Sequence, residues 1–216
     1  MMNNMVDMTA AFQTGHLRVM TRSYEADKEQ KPNDLALLEV SALLGKLKND
    51  YPDVIWTPRI SFGGLLDIPD SNGETKVQGP VSGQAYDFFS GESGEFGRLG
   101  LQEAIMKGRM IQHPGEAIIS VDFSEKFGVL PGDTVTFFGS TMYGSMTFSN
   151  YTVAGIVRFG TAMLDKGAVI IDPSDARQLL DMEDAAGELF GFLPDGYVRD
   201  KAEHIKNTFN SQYAVD

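Results

Sequence analysis

The chain has 216 residues, 18 Lys plus Arg against 30 Asp plus Glu, and a formal net charge of −12 at pH 7. That balance argues against nucleic acid and anionic membrane surfaces as partners, since both favour basic patches. With no cysteine, disulfides, thiolate metal sites and cysteine nucleophiles are excluded.

In chain order, residues 1–13 read as a helix with Met5, Met8 and Phe12 on one face, broken at Gly15. His16–Met20 alternates as a strand does, and 25–34, EADKEQKPND, reads as an exposed polar loop. A helix is predicted from Asn33 or Asp34 to about Asn49, with Leu37, Val40, Leu44 and Leu47 on its apolar face. Residues 54–86 read as a hairpin turning at Asp70–Gly73. The stretch 90–100, SGESGEFGRLG, reads as a flexible Gly-rich connector. A short helix at 101–107, a strand at 116–120 and a helix at 123–127, stopped by Gly128, follow. Strands at 134–138 and 151–159 come next, rich in Val, Thr, Phe and Tyr. A strand at 168–171 feeds a helix over 174–182, for which Asp172 is a cap, Pro173 a first-turn residue and Asp175 a capping-box partner. A strand at 188–193 and a helix near 199–209 close the chain. The outer blocks read as β-α-β-β and β-α-β-α, and the middle block is helix-poor.

Catalytic patterns are weak. His16, His113 and His204 have no metal-ligand spacing. Gly91, Gly94, Gly97 and Gly100 follow no strand directly and stand beside Glu92 and Glu95, which would repel a phosphate; no P-loop pattern occurs. GPVSG at 79–83 misplaces its serine for a hydrolase elbow. Carboxylate pairs such as Asp122 with Glu125, or Asp181 with Asp184, arise readily in an acidic chain. No catalytic residue, cofactor or metal site is assigned, and the chain is read as non-enzymatic.

Two segments stand out as contact or motion candidates. The span 139–150, GSTMYGSMTFSN, joins two strong strands and carries no charge. Its Met142, Tyr143, Met146 and Phe148 form a candidate partner contact, because apolar groups on a projecting loop usually meet something. The stretch FGTAMLDK, with Phe159, Gly160, Met163 and Leu164, is a candidate hinge or crossover.

Leu130 and Gly132-Asp133 precede a strand, a loop and a strand ending Gly155-Ile156-Val157, and then comes a strand feeding a helix with Ala176-Arg177-Gln178-Leu179-Leu180. Near the N-terminus, Gly15-His16 precedes a strand and Tyr24. This order resembles the extracytoplasmic domain of the MacB/FtsX/LolC-type ABC transporter permeases, closest in flavour to the lipoprotein-release members (LolC and LolE). The resemblance implies an α+β fold. A discontinuous α/β subdomain (Porter-like, residues 1–89 and 162–216) would be interrupted by a mainly β subdomain (Sabre-like, residues 90–161). It implies no catalysis here, ATP hydrolysis on a separate cytoplasmic ATPase, and membrane helices flanking both ends. Met1–Met8 lacks the basic start and apolar stretch of a signal peptide, and no run of about 18 apolar residues spans a bilayer, as expected of such a periplasmic piece of an inner-membrane protein. ATP-driven closure would be relayed outward to a periplasmic adaptor, chaperone or lipoprotein, with the full transporter a dimer and Met1 and Asp216 on one face. In lipoprotein-releasing relatives a hook between the two strands grips a chaperone; the corresponding 139–150 span is shorter and lacks their prolines. The readings of other classes are a soluble small-ligand-binding protein or acidic α/β enzyme, and a scaffold that recruits a partner without transport motion.

Overall fold

A computed structural model describes residues 14–70, 72–89, 91, 94–160, 162–194 and 196–213. The helix expected over 1–13, and the placement of Met1 and Asp216, lie outside the described residues. The elements run β1 (Leu17–Val19), α1 (Arg22–Asp27), β2 (Leu37–Leu38), α2 (Val40–Asp50), β3 (Ile55–Pro69), β4 (Thr75–Ala85), α3 (Glu95–Leu99), α4 (Leu101–Ala104), β5 (Ile105–Gly108), β6 (Glu116–Ser120) and α5 (Val121–Phe127). They continue β7 (Thr134–Ser140), β8 (Met146–Val157), α6 (Ala162–Asp165), β9 (Ala168–Ile171), α7 (Pro173–Leu180), β10 (Ala185–Ala186), β11 (Glu188–Phe192) and α8 (Arg199–Tyr213). Helices and strands are interleaved, and the fold is α+β.

The long hairpin β3–β4 organises the molecule. The first part of β3, Ile55–Arg59, pairs antiparallel with β11, and β11 pairs with β1, making a small outer sheet. From Ile60 onward β3 pairs with β4 instead. There a ring closes: β3 to β4, β4 to β9, β9 to β6, β6 to β8, β8 to β7, and β7 back to β3 at Leu65–Asp67. The ring draws β6, β7 and β8 from residues 90–161, and β3, β4 and β9 from the flanking ranges.

Alternation along the strands fills this ring, because successive side chains point to opposite faces. Phe62 and Phe137 meet inside it edge-to-face, with centroids 5.1 Å apart. Gly83 makes room for them: a Cβ there would overlap the Phe62 ring. One apolar cluster runs without a break from Val40, Leu47, Trp56 and Ile205 under α2 and α8 to Ile119, Phe137 and Val153 in the ring. A second, with Tyr86, Leu99, Leu101, Ile118, Phe159 and Leu164, lies beneath the segments that cross over between strands.

Several boundaries depart from the sequence expectations for identifiable reasons. The helix predicted from Asn33 begins only at Val40, because Leu37 and Leu38 pair with Ala186 and Ala185, and Glu39 turns left-handed at φ 53°. Its first turn is capped from afar: Asp184 Oδ1 accepts from the Ser41 amide (2.9 Å) and the Ser41 hydroxyl (2.7 Å). The presumed loop 25–34 contains the end of α1 and two short 3-10 turns. Asp172 caps α7 as expected, accepting from the Ser174 amide at 2.8 Å. Asp175 closes no capping box; it accepts from the Gly115 amide at 2.7 Å and so ties α7 to the entry of β6.

Candidate contact surface

The alternation in TVTFF sends Val135 and Phe137 inward and leaves Phe138 on the outer face. Strand β8 starts at Met146, so most of the span read as a loop is strand, and the true turn is Thr141–Ser145. Gly144 supplies the positive φ of 80° that this turn needs, and the Thr141 amide donates to Ser145 O at 2.8 Å. Tyr143, Met146 and Phe148 are 75%, 88% and 69% exposed. Met142 differs from its three companions: it is buried in the main cluster, and its amide donates to Leu180 O at 2.8 Å, holding the turn against the end of α7.

Sequence reasoning missed two members of the surface. Leu65, Phe138 and Phe148 lie in register across β3, β7 and β8, and the Phe138 and Phe148 rings are 5.9 Å apart. Leu65 and Phe138 are partly exposed beside the more open Phe148. The signal for Phe138 was present in the alternation of TVTFF; the position of Leu65 follows only from ring closure. The row presents a contiguous apolar face with no charged side chain among its members.

The crossover candidate is a tied corner. Asp165 is buried and accepts from the backbone amides of Phe159 (Oδ1, 2.6 Å) and Gly160 (Oδ2, 3.1 Å). Phe159 and Leu164 are buried in the second cluster, and Gly160 takes φ 76°. The side chain of Met163 lies outside the described residues.

Residues 94–100 of the Gly-rich stretch are also anchored, against the expectation of a flexible connector. Glu95 of α3 is fully buried and pairs with Arg59 Nη2 at 2.6 Å, where β3 leaves the outer sheet for the ring. The Asp87 amide donates to the other Glu95 oxygen at 2.8 Å. Arg59 lies over the Tyr86 ring at 4.3 Å and the Phe190 ring at 5.1 Å, and Arg98 lies over Phe192 at 3.7 Å. Burial pushes the Glu95 carboxyl up, while the Arg59 guanidinium works against that shift. On the same outer sheet Arg18 pairs with Glu188. The glycine spacing hid this site because the ion pair joins residues far apart in sequence.

The histidines are placed as structural or surface groups. His16 Nδ1 accepts from the Leu193 amide at 2.9 Å and its ring meets Phe192 edge-on. His113 and Arg109 approach Glu116, whose carboxyl is drawn down to about 2, chiefly by the Arg109 hydrogen bond. His204 is exposed on α8. Among the described residues, no group of three or more His, Asp or Glu is placed to hold a metal ion. A cleft of about 710 Å³ lies between 30–34, 62–64 and 139–144. Lys31 reaches Phe62 O (3.2 Å) and Ser82 Oγ at its edge, and burial lowers its pKa. No helix of the described residues is long and apolar enough to cross a membrane.

No family model matches the chain, and no curated protein matches it. Among solved structures it is similar to the periplasmic region of MacB from Actinobacillus actinomycetemcomitans, at 15% identity with a TM-score of 0.56, over 92% of this chain and 82% of that one. The chain therefore shares the fold of the MacB periplasmic region.

Proposed function

We propose that the chain is the extracytoplasmic domain of an ABC permease of the MacB/FtsX/LolC type. It passes movement driven by a cytoplasmic ATPase to a substrate or partner outside the inner membrane, in lipoprotein release or efflux. The observation that carries this reading is the shared fold over 92% of the chain. Support comes from the sequence order around Gly132-Asp133 and Gly155-Ile156-Val157, which points to the same group independently of coordinates. The proposal includes a non-catalytic role for this domain and a dimeric full transporter. It also includes a division into a Porter-like part, 1–89 and 162–216, and a Sabre-like part, 90–161, which share the β3–β4 hairpin as their seam. Tyr143, Met146 and Phe148, extended by Phe138 and Leu65, are its contact for an adaptor, chaperone or lipoprotein. The corner Phe159–Leu164 transmits motion as a tied link.

The chain itself has no cysteine, so a thiol placed in it is read against the unsubstituted protein. Tyr143→Cys in the natural full-length protein should react with a membrane-impermeant maleimide in cells with a permeabilised outer membrane, and a cytoplasmic ABC ATPase should co-purify. A thiol reached only after the inner membrane is broken, with no such ATPase retained, would overturn the reading.

The small-ligand-binding or enzymatic reading has one observation in its favour, the cleft beside Lys31. Its lining mixes glycines 63, 64, 139 and 144 with polar side chains such as Gln30, Asp34, Ser140 and Thr141, while Lys31 and Asn33 are already engaged by Ser82 Oγ and the carbonyls of Phe62 and Ser61.

A further inference from the structure

Beside the apolar row runs a second row, and it is polar. Gln78, Asp67, Thr136 and Asn150 stand in register across β4, β3, β7 and β8, one step along from Pro80, Leu65, Phe138 and Phe148. Side chains alternate along β3, so Leu66 and Ile68 fill the ring while Leu65 and Asp67 share the outer face. Asp67 is the anomaly of that face. It is only 6% exposed, yet its Oδ1 is closed off from solvent and has no hydrogen-bond partner among the described residues. The hydroxyl next to it in register is turned elsewhere: Thr136 Oγ1 donates to Asn150 Oδ1 at 2.8 Å. Lys76, exposed on β4, makes no ion pair with it among the described residues. Buried polar groups in folded proteins are nearly always met, and an unmet carboxylate is costly until a donor arrives.

The surroundings decide which donor that is. Thr134–Val157 has no charged residue. At Asp67's end of the sheet, the strand ends carry Asp70, Glu74 and Asp133 and the base Lys76. Leu65 and Asp67 are two residues apart, ~6–7 Å along the strand, so the face passes from apolar to acidic within that distance. A cation satisfies a carboxylate with the strongest of the ordinary hydrogen bonds, and a chain of net charge −12 draws cationic partners toward itself.

We infer that this face holds a basic, amphipathic polypeptide segment. Its apolar side chains lie on Leu65, Phe138 and Phe148, and its Arg or Lys donates to Asp67. A polypeptide fits better than a small molecule because the face is an open sheet. Small ligands need a concave pocket that buries most of their surface. Protein partners are held on broad patches with an apolar centre and a polar rim. This rests on the apolar row being a contact site, as proposed above, and adds the chemistry of the partner.

The test is selection of random peptides displayed on phage against the immobilised 216-residue chain, with Phe148→Ser as the counter-selecting surface. Enriched sequences should set basic residues beside apolar ones and lack Asp and Glu. In fluorescence anisotropy, a selected peptide should bind Asp67→Asn ~10-fold more weakly or worse and lose affinity at high salt. Asp200→Asn, an exposed acid on α8, should bind it as the parent does. Changing the peptide's basic residue to Gln should cost as much in the parent and almost nothing further in Asp67→Asn. Asp67→Asn should unfold in urea no earlier than the parent; a clearly lower midpoint assigns the carboxylate to the structure and overturns the inference. Neutral or acidic enriched sequences overturn it, as does no enrichment over Phe148→Ser, or a peptide that binds Asp67→Asn as tightly as the parent. A dimer of the chain that Phe148→Ser dissolves, or co-sedimentation with phosphatidylcholine vesicles in place of peptide capture, overturns it too. Any of these leaves the transport reading to the maleimide and co-purification test, whose failure would in turn leave a peptide site standing.

Discussion

Two glycine-bearing segments of this chain behave in opposite ways. The stretch around Glu95 and Arg98 is polar and reads as a connector, yet its glutamate is among the most deeply buried groups in the molecule. The β7–β8 hairpin is uncharged and rich in Met, Phe and Tyr, yet Tyr143, Met146 and Phe148 stand in solvent. Hydropathy orders the two wrongly. A charge can be buried if a partner and hydrogen bonds meet it there, and Arg59 with the Asp87 amide does so for Glu95. An apolar side chain can stay outside when the inner face of its strand is already filled, as Val135, Phe137 and Tyr151 fill it here.

The sharpest way to break this contrast is Glu95→Ala. It leaves Arg59 buried beside an empty space and should cost ~3–5 kcal/mol in urea unfolding. The double variant Glu95→Leu with Arg59→Met should recover most of it, and a neutral Glu95→Ala would make the stretch the loose connector its composition suggests. Asp165→Ala removes a buried carboxylate from two backbone amides and should cost ~2–3 kcal/mol by the same measurement. No loss would mean that the Phe159–Leu164 corner is not tied. Asp184→Ala takes the remote cap from α2 and should cost ~1 kcal/mol, seen as faster amide exchange at Ser41 and Ala42. At the other pole of the comparison, Phe148→Ser should leave stability within ~0.5 kcal/mol of the parent while abolishing partner capture. A large stability loss there would show that the ring is structural and not a contact.

The β-rich hairpins, the stop at Gly128 and the cap at Asp172 were legible because each is a local signal: turn residues, alternation, or a short polar side chain ahead of a helix. What could not be read was set by distant partners. Leu37 has the spacing of a helix face, but the Ala185–Ala186 ladder takes it. Asp175 has the position of a capping-box residue, but the Gly115 amide is a better placed donor. Met142 looked like its neighbours in an apolar span and was turned inward by its bond to Leu180. In the candidate surface the exposed trio was visible as composition. The Leu65 end of the row was not, because it depends on β7 returning to β3.

That β3 belongs to both sheets has a mechanical consequence. A tug arriving through β1 or α8 at the outer sheet enters Ile55–Arg59 and continues along the same covalent strand into the ring, with no joint to bend in between. The rungs on either flank of the strand are then stressed sideways and together, so they yield collectively or not at all. Under the proposed function such a strand would serve as a crank arm, carrying displacement from the outer sheet to the ring in one piece.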